Sequence, residues 1–182
     1  MNRPATLLVL LLAGLLAGCG GGSRPTGIRA AETPADDVAE YQPRWRSHTV
    51  DSTQYRKVFL AGTIDMGRSS DWQAALVARF RDSIGGRWLF FNPRRREFHA
   101  SPWELAHLEA ADLIVMNLLG DSRSPISLLE MGLYARSGKL FVACSPDYYR
   151  YDNVRITCRR YGVPLYDSLT APLGDLTQQS AE

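Results

Sequence analysis

Five short apolar runs alternate with segments of helical pattern along this chain, and this alternation limits the possible folds more than any other feature. Runs of this kind, apolar on both faces, are typical of buried parallel strands. They lie at residues 58–62, 88–91, 113–118, 140–143 and 163–166. Strands that alternate with helices predict an α/β fold, here a doubly wound parallel sheet of five strands with helices on both faces. Pro164 favours an edge position for the last strand.

The helices between these strands have recognisable start signals. Two begin with patterns typical of a capping box, Ser70-Asp71-Trp72-Gln73 and Ser101-Pro102-Trp103-Glu104. For a third helix, Ser124 suits the cap, Pro125 the first helical position, and Gly138 the left-handed residue after the last turn. A fourth helix is expected from about residue 153 to 161, stopped by Gly162.

Polar residues gather where the predicted strands end. In a flavodoxin-like sheet, ligands bind at the carboxyl ends of the strands, where helix N-termini also point. The residues expected on this rim are Gly62, Thr63, Asp65, Asn92, Asn117, Ser124 and Glu104, with Glu130 one to two turns inside the third helix. Asp112 falls at the opposite end of its strand, so we interpret it as structural. The rim is therefore the predicted binding site.

Two carboxylates on the rim are candidates for catalytic residues. Glu104 and Glu130 lie near the starts of consecutive helices that flank the third strand. Such a pair can cleave an N- or O-glycosidic bond, because one carboxylate attacks the anomeric carbon while the other handles protons. The alternatives are a capping-box role for Glu104 and a semi-exposed, Arg-paired helix position for Glu130.

Charge and cysteine usage exclude other classes of function. The 21 Lys and Arg residues against 19 Asp and Glu give a net charge of +2. This is not the concentrated basic excess of a nucleic-acid binder, so we expect no nucleic-acid partner. The three cysteines form no CxxC motif and no Cys/His cluster, so we predict neither a metal nor a cofactor. Cys144 and Cys158 are either a disulfide or two buried thiols, and the sequence leaves both alternatives open.

The first residues have the form of a secretory signal. Arg3 precedes an apolar run at residues 5–16 that is too short to span a bilayer. The run ends in Leu16-Ala17-Gly18-Cys19, which resembles the lipobox of bacterial lipoproteins. This resemblance implies lipidation of Cys19 and a membrane anchor, and Gly20 resembles the pattern that sorts lipoproteins to the outer membrane, facing the periplasm. The alternative is an ordinary signal peptide with a chance cysteine.

These patterns divide the chain into four parts. We expect a lipoprotein signal peptide at 1–18, a flexible Gly-, Pro- and Ala-rich tether at 19–52, one folded domain at 53–168 and a C-terminal tail at 169–182.

Three segments resemble the nucleoside 2-deoxyribosyltransferase family. They are Phe59-Leu60-Ala61-Gly62-Thr63-Ile64, Ala111-Asp112-Leu113-Ile114-Val115, and Leu129-Glu130-Met131-Gly132-Leu133-Tyr134-Ala135 followed by Gly138-Lys139. The resemblance, which covers about residues 57–165, implies that Glu130 is the nucleophile of a glycosyl-enzyme intermediate. It implies that the acidic residue eight positions before Asp112 assists the leaving base, and this is Glu104 where the family usually has Asp. It also assigns Phe59, Gly62 and Thr63 to the substrate pocket and makes a homo-oligomer an expectation.

Ser124 leaves the substrate class open. It stands six positions before Glu130, where the transferases carry an Asp and the related nucleotide N-glycosidases a Ser that holds a 5′-phosphate. A hydroxyl beside a helix N-terminus suits an anion. Arg94, Arg95 and Arg96 would add positive charge, unless they form a solvated basic turn.

We therefore predict a membrane-anchored protein that transfers or hydrolyses the N-glycosidic bond of a (deoxy)nucleoside or nucleotide. Glu130 and Glu104 are the catalytic candidates. The substrate-binding candidates are Phe59, Gly62, Thr63, Asp65, Asn92 and Ser124. The alternative is a catalytically inactive envelope lipoprotein that binds a nucleotide or docks a partner.

Overall fold

The computed structural model describes residues 38–41, 52–83, 86–94 and 102–170, which all lie within one compact unit. The strands of this part of the chain are β1 (Val38–Tyr41), β2 (Arg56–Gly62), β3 (Trp88–Phe91), β4 (Leu113–Leu118), β5 (Leu140–Cys144) and β6 (Leu165–Tyr166). Its α-helices are α1 (Trp72–Ser83), α2 (Trp103–Ala110), α3 (Pro125–Tyr134) and α4 (Tyr151–Tyr161). The predicted signal peptide, with Cys19, and the residues Arg95 and Arg96 lie outside the described ranges.

The sheet confirms the predicted α/β class but has six strands rather than five. All strand pairs are parallel, in the order β1-β3-β2-β4-β5-β6. The additional strand, β1, pairs Val38 with Trp88 and lies inside the segment predicted as a tether. Sequence reasoning missed it because four residues with a central Glu40 carry no apolar run. The prediction of β6 as an edge strand is confirmed.

Helices cover both faces of the sheet because the side chains of each strand alternate between two cores. In β2, Val58 and Leu60 pack with the α1 residues Leu76 and Phe80. Phe59 and Ala61 face the other side, where the core also takes in side chains of α2, α3 and α4. Gly62 at the end of β2 is in register with Asn117 of β4, and this register carries the loop after β2 to the carboxyl edge of the sheet.

Several local predictions need correction. Asp71 rather than Ser70 caps α1, because its Oδ1 accepts the Ala74 N–H at 3.0 Å. Ser124 precedes α3, but its side chain makes no capping hydrogen bond. Its backbone is left-handed, with φ +38°, which turns the hydroxyl away from the first helical amides. Pro125 does occupy the first helical position, and Gly162 ends α4 with φ +68°.

Gly138 and Lys139, which end the third family-resembling segment, have a structural role. Gly138 adopts φ +75°, in the turn between α3 and β5. Lys139 then extends its ammonium group to the end of α2, where Nζ donates to the carbonyls of Leu108, Glu109 and Ala111 at 2.7, 3.1 and 3.1 Å. A cation at a helix C-terminus satisfies carbonyls that have no intrahelical partner. Lys139 therefore stabilises the helix on which Glu104 lies.

The two cysteines of the domain are free thiols and do not form a disulfide. Cys144 and Cys158 are both free and buried. Burial raises the pKa of Cys144 to about 12 and that of Cys158 to about 11. Thiols in this state are poor nucleophiles at neutral pH.

None of the helices in the described ranges is long and apolar enough to cross a membrane.

Candidate functional site

A cavity of about 180 Å³ opens at the carboxyl edge of the sheet, between the loop after β2 and the first turns of α2 and α3. The position is the one that parallel sheets offer to ligands, because strand ends and helix N-termini converge there. Its lining residues are Phe59, Ala61, Gly62, Ile64, Asp65, Met66, Pro93, Glu104, Ser124, Pro125, Ile126, Ser127 and Glu130. Both catalytic candidates and four of the substrate-binding candidates (Phe59, Gly62, Asp65 and Ser124) are therefore brought together.

Glu130 is the buried carboxylate of this cavity. Its residue is only 8% exposed, although it lies on a helix whose neighbouring Leu129 is 62% exposed. Burial, followed by the charge of Glu104, raises the pKa of Glu130 to about 7. A carboxylate that is poorly hydrated and titrates near neutral pH is suited to nucleophilic or proton-transfer chemistry.

Glu104 shares the cavity with Glu130. It lies in the first turn of α2, where the N-cap position is Pro102. The capping-box interpretation requires Ser101, which lies outside the described ranges. The negative charge of Glu104 acts on Glu130, as the raised pKa of Glu130 reflects. The two carboxyl groups thus form an interacting pair around one cavity.

Aromatic packing holds the first turn of α2 in place. Trp103 lies against Phe59 with ring centroids 6.2 Å apart, and it stacks on His107 at 4.0 Å. His107 in turn meets the edge of Phe91 at 4.5 Å. Aromatic pairs at these separations fix ring orientation as well as burying area. Phe59, predicted as a pocket aromatic, therefore lines the cavity and also supports the helix turn that presents Glu104.

Gly62 permits the close approach of the loop to β4. Its φ of +119° lies in a region that favours glycine, and a Cβ added there would lie 2.2 Å from the Asn117 carbonyl oxygen. The next amide, Thr63 N–H, donates to that same oxygen at 2.8 Å. Glycine is thus required at position 62 by the backbone conformation and by the contact with Asn117.

Backbone strain in the described chain is concentrated at this site. The non-glycine residues with positive φ are Asp65 (+47°), Met66 (+56°) and Ser124 (+38°), and each of them lines the cavity. Left-handed conformations cost free energy for residues with a side chain, so they persist where other interactions determine them.

A chain of hydroxyl groups connects these strained segments. Ser122 Oγ donates to Asp65 Oδ1 at 3.0 Å and lies 2.7 Å from Ser124 Oγ. Ser124 Oγ lies 2.9 Å from Thr63 Oγ1, which accepts the Leu119 N–H at 3.0 Å. Ser122 was absent from the sequence-based candidates, although its place in the loop after β4 was a signal that it belongs to the rim.

Three rim predictions do not reach the cavity lining. Thr63 is fully buried behind it, within the hydroxyl chain. Asn92 donates to Glu40 at 2.6 Å and accepts the Arg94 N–H at 2.9 Å, so its amide joins β1 to the loop after β3. Asn117 is buried and its backbone carbonyl anchors the loop after β2. Conversely, the sequence pattern did not predict four lining residues that are not polar: Ile64, Met66, Pro93 and Ile126.

Arg94 is a structural residue rather than a free cation. Its guanidinium donates to the carbonyls of Gly67, Ser69 and Ser70 at 3.2, 2.6 and 3.2 Å. It also lies 3.4 Å from the Asp71 carboxylate. The planar fork of an arginine suits several carbonyls at once. Arg94 therefore holds the loop between β2 and α1, and both earlier interpretations of this residue, anion binding and a solvated turn, are wrong.

A comparison with known families adds to this geometry. A family model described as "nucleoside 2-deoxyribosyltransferase like" matches residues 55–148, slightly more than half of the chain. The matched range includes every residue that lines the cavity. No curated protein matches the chain. Within the described residues, no group of three or more His, Cys, Asp and Glu side chains is arranged to hold a metal ion.

Proposed function

The chain belongs to the nucleoside 2-deoxyribosyltransferase-like family, and from this premise we propose that it cleaves the N-glycosidic bond of a (deoxy)nucleoside or nucleotide with Glu130 as nucleophile. Family membership supports a related glycosyl-transfer function. The observation that carries the finer proposal is the pair of interacting carboxylates in one cavity, of which Glu130 is buried and has a pKa of about 7.

The proposed first step forms an ester. An ionised Oε of Glu130 attacks the anomeric carbon of the sugar, the bond from that carbon to the base nitrogen breaks, and its electron pair leaves with the base. Glu104 relays a proton from water to the departing base. The transition state resembles an oxocarbenium ion, so the negative charge of Glu130 stabilises it. The product of this step is a glycosyl ester on Glu130 and a free base.

The second step regenerates the carboxylate. Water or a second base attacks the anomeric carbon, the ester bond breaks, and Glu104 takes the proton that the incoming nucleophile releases. Water as acceptor makes the protein an N-glycosidase, and a base as acceptor makes it a transferase.

The test is release of free base by the full chain. The substrates are the common 2′-deoxynucleosides and their 5′-monophosphates, with and without an acceptor base. Glu130→Gln keeps the side-chain shape but removes the nucleophile, and we expect the rate to fall at least about a thousandfold. Glu109→Gln is the matched control, because Glu109 is exposed on α2 and absent from the cavity lining.

Two outcomes would contradict the proposal. One is that no substrate releases base, and the other is that Glu130→Gln keeps the wild-type rate. If ligands raise the melting temperature of the wild type and of Glu130→Gln without any turnover, the alternative of an inactive binding protein is favoured instead.

We further propose that a lipid on Cys19 anchors the protein to the outer membrane of a bacterial envelope, with the domain in the periplasm. The support is the lipobox-like Leu16-Ala17-Gly18-Cys19 sequence. In a bacterial host supplied with labelled palmitate, the full chain should take up label and sediment with outer membranes. Cys19→Ser should lose both properties, and label retained by Cys19→Ser would contradict the proposal.

A homo-oligomer is the last part of the proposal. Ile126, Leu129 and Leu133 share one face of α3 and are 51%, 62% and 59% exposed. Contiguous exposed apolar side chains of this size commonly mark an interface. Sedimentation velocity should give a mass above that of the monomer, and Leu129→Ser combined with Leu133→Ser should reduce it. A wild type that sediments as a monomer at micromolar concentration would contradict this expectation.

A further inference from the structure

The hydroxyl chain beside the cavity has a determined direction. Ser122 donates its single proton to Asp65, so it accepts the hydrogen bond from Ser124 at 2.7 Å. Ser124 has then used its own proton, so it accepts the hydrogen bond from Thr63 at 2.9 Å. Thr63 in turn accepts the Leu119 N–H at 3.0 Å. Each hydroxyl proton is therefore committed within the chain.

This direction decides what Ser124 offers to a ligand. Of the three hydroxyl residues, Ser124 is the one that lines the cavity, and Asp65 lines it as well. Ser124 presents oxygen lone pairs but no proton, and Asp65 presents carboxylate oxygens. A 5′-phosphate needs donors from such a surface, whereas a sugar hydroxyl can donate to it. Because Ser122 accepts the only proton of Ser124, Ser124 is not suited to hold a phosphate.

The charge of the cavity lining also favours an uncharged sugar hydroxyl over a phosphate. Asp65, Glu104 and Glu130 line the cavity, and none of the described lining residues is basic. Arg94 is committed to loop carbonyls, while Arg68 is exposed and donates to the Asp65 backbone carbonyl at 3.3 Å. The opposing attraction is the N-terminus of α3, which carries about half a positive charge. The carboxylates of Asp65 and Glu104 outweigh it for a phosphate, but its free amides can still donate to a neutral hydroxyl oxygen.

We propose that Ser122 determines the ligand class of this site: by holding the proton of Ser124, it makes the polar end of the cavity accept a hydrogen bond from an uncharged sugar hydroxyl and disfavour a phosphate. The inference rests on the proposed function and narrows its substrate to an unphosphorylated nucleoside. Ser122 acts as a positioning residue, because it reaches the ligand through Ser124.

The test compares binding of matched ligand pairs. Calorimetric titration of the full chain with each common 2′-deoxynucleoside and its own 5′-monophosphate gives a ratio of dissociation constants. The wild type should bind at least one nucleoside about tenfold or more tighter than its monophosphate, which is the discrimination expected of charged hydrogen-bond groups. Ser122→Ala frees the Ser124 proton and should move this ratio severalfold toward the monophosphate.

A double variant separates this role from a general structural effect. Ser122→Ala combined with Ser124→Ala has no proton to offer, so the gain in monophosphate binding should disappear. Ser137→Ala is the matched control, since Ser137 is exposed in the turn after α3 and should leave the ratio unchanged. Asp65→Asn should also favour the monophosphate, because it removes a negative charge from the lining.

Three results would overturn the inference: equal or tighter binding of the monophosphate by the wild type, an unchanged ratio in Ser122→Ala, or no binding of either ligand class. Binding is measured apart from base release, so the two proposals fail separately. Tight nucleoside binding without release of base contradicts the proposed chemistry alone. Base release with a preference for monophosphates contradicts the role of Ser122 alone.

Discussion

Burial of Glu130 has two opposite consequences at the scale of the single residue. It removes water from the carboxylate, which strengthens its interaction with a positive charge that develops on a sugar. It also disfavours the ionised form, and the neighbouring charge of Glu104 adds to that effect, so the pKa rises to about 7. The proposed nucleophile is therefore only partly ionised at neutral pH, and both its activity and the stability of the fold should depend on pH.

The activity of the wild type should rise with pH and level off above about 7, because the ionised form of Glu130 attacks. Glu104→Gln removes a like charge, so the pKa of Glu130 should fall and the midpoint of the kcat/KM profile should move to lower pH. Its plateau should also fall, since proton delivery to the base is lost. Glu109→Gln on the same helix should keep the wild-type midpoint. A midpoint that stays in place or rises in Glu104→Gln would show that the two carboxylates do not interact.

The same titration predicts a stability difference for Glu130→Gln. Between the ordinary pKa of 4.5 and the folded value of about 7, the folded chain holds a proton that the unfolded chain has lost. The free energy of unfolding of the wild type therefore falls as pH rises through this range. Glu130→Gln should be more stable than the wild type by at most about 3 kcal/mol near pH 8, and the difference should vanish near pH 4. Urea unfolding at both pH values measures it, and a difference independent of pH would contradict the titration.

At the scale of the element, the sequence predicts which residues reach the site better than it predicts how their side chains are oriented. Glu130 and Glu104 were found because parallel strands send helix starts to one edge of the sheet. The orientation of the Ser124 side chain was not predicted, because it depends on hydrogen bonds within the left-handed turn to Ser122 and with Thr63, which is 61 residues away in the sequence. β1 was missed because a short edge strand with a charged residue has no sequence period.

Gly62 and Gly132 offer a matched pair of substitutions at this scale. Gly62→Ala places a Cβ against the Asn117 backbone and forces an unfavourable φ, so we expect a loss of more than about 3 kcal/mol or no folded protein. Gly132→Ala lies within α3 with nothing within 4 Å of its Cβ, so it should be neutral or stabilise by about 1 kcal/mol. Thermal unfolding of both variants tests this, and a well-tolerated Gly62→Ala would show that the loop after β2 is adaptable.

Arg94→Lys tests the support of the loop that lines the cavity. A lysine cannot satisfy the carbonyls of Gly67, Ser69 and Ser70 together, so the variant should lose about 2 kcal/mol of stability. Because Asp65 and Met66 belong to this loop, KM should rise severalfold while kcat changes little. Arg81→Lys, exposed on α1, is the control. A lower kcat with an unchanged KM would instead place Arg94 in the chemistry.

At the scale of the whole molecule, the cores of the described domain position the residues of the cavity. Two cores on opposite faces of the sheet fix β2 and β4, and these strands deliver the loop and helix starts that surround one cavity. The family match supports a related glycosyl-transfer function, and we propose that this cavity carries it with Glu130 as the nucleophile.

The most direct measurement is mass spectrometry of a trapped intermediate. A 2′-fluoro-substituted nucleoside slows both steps, because the electronegative fluorine destabilises the oxocarbenium-like transition state. After incubation with the full chain and proteolysis, the peptide that contains Glu130 should gain the mass of the fluorinated sugar, and Glu130→Gln should not. A chain that releases base from this substrate and carries the sugar on another residue, or carries none, would contradict the account.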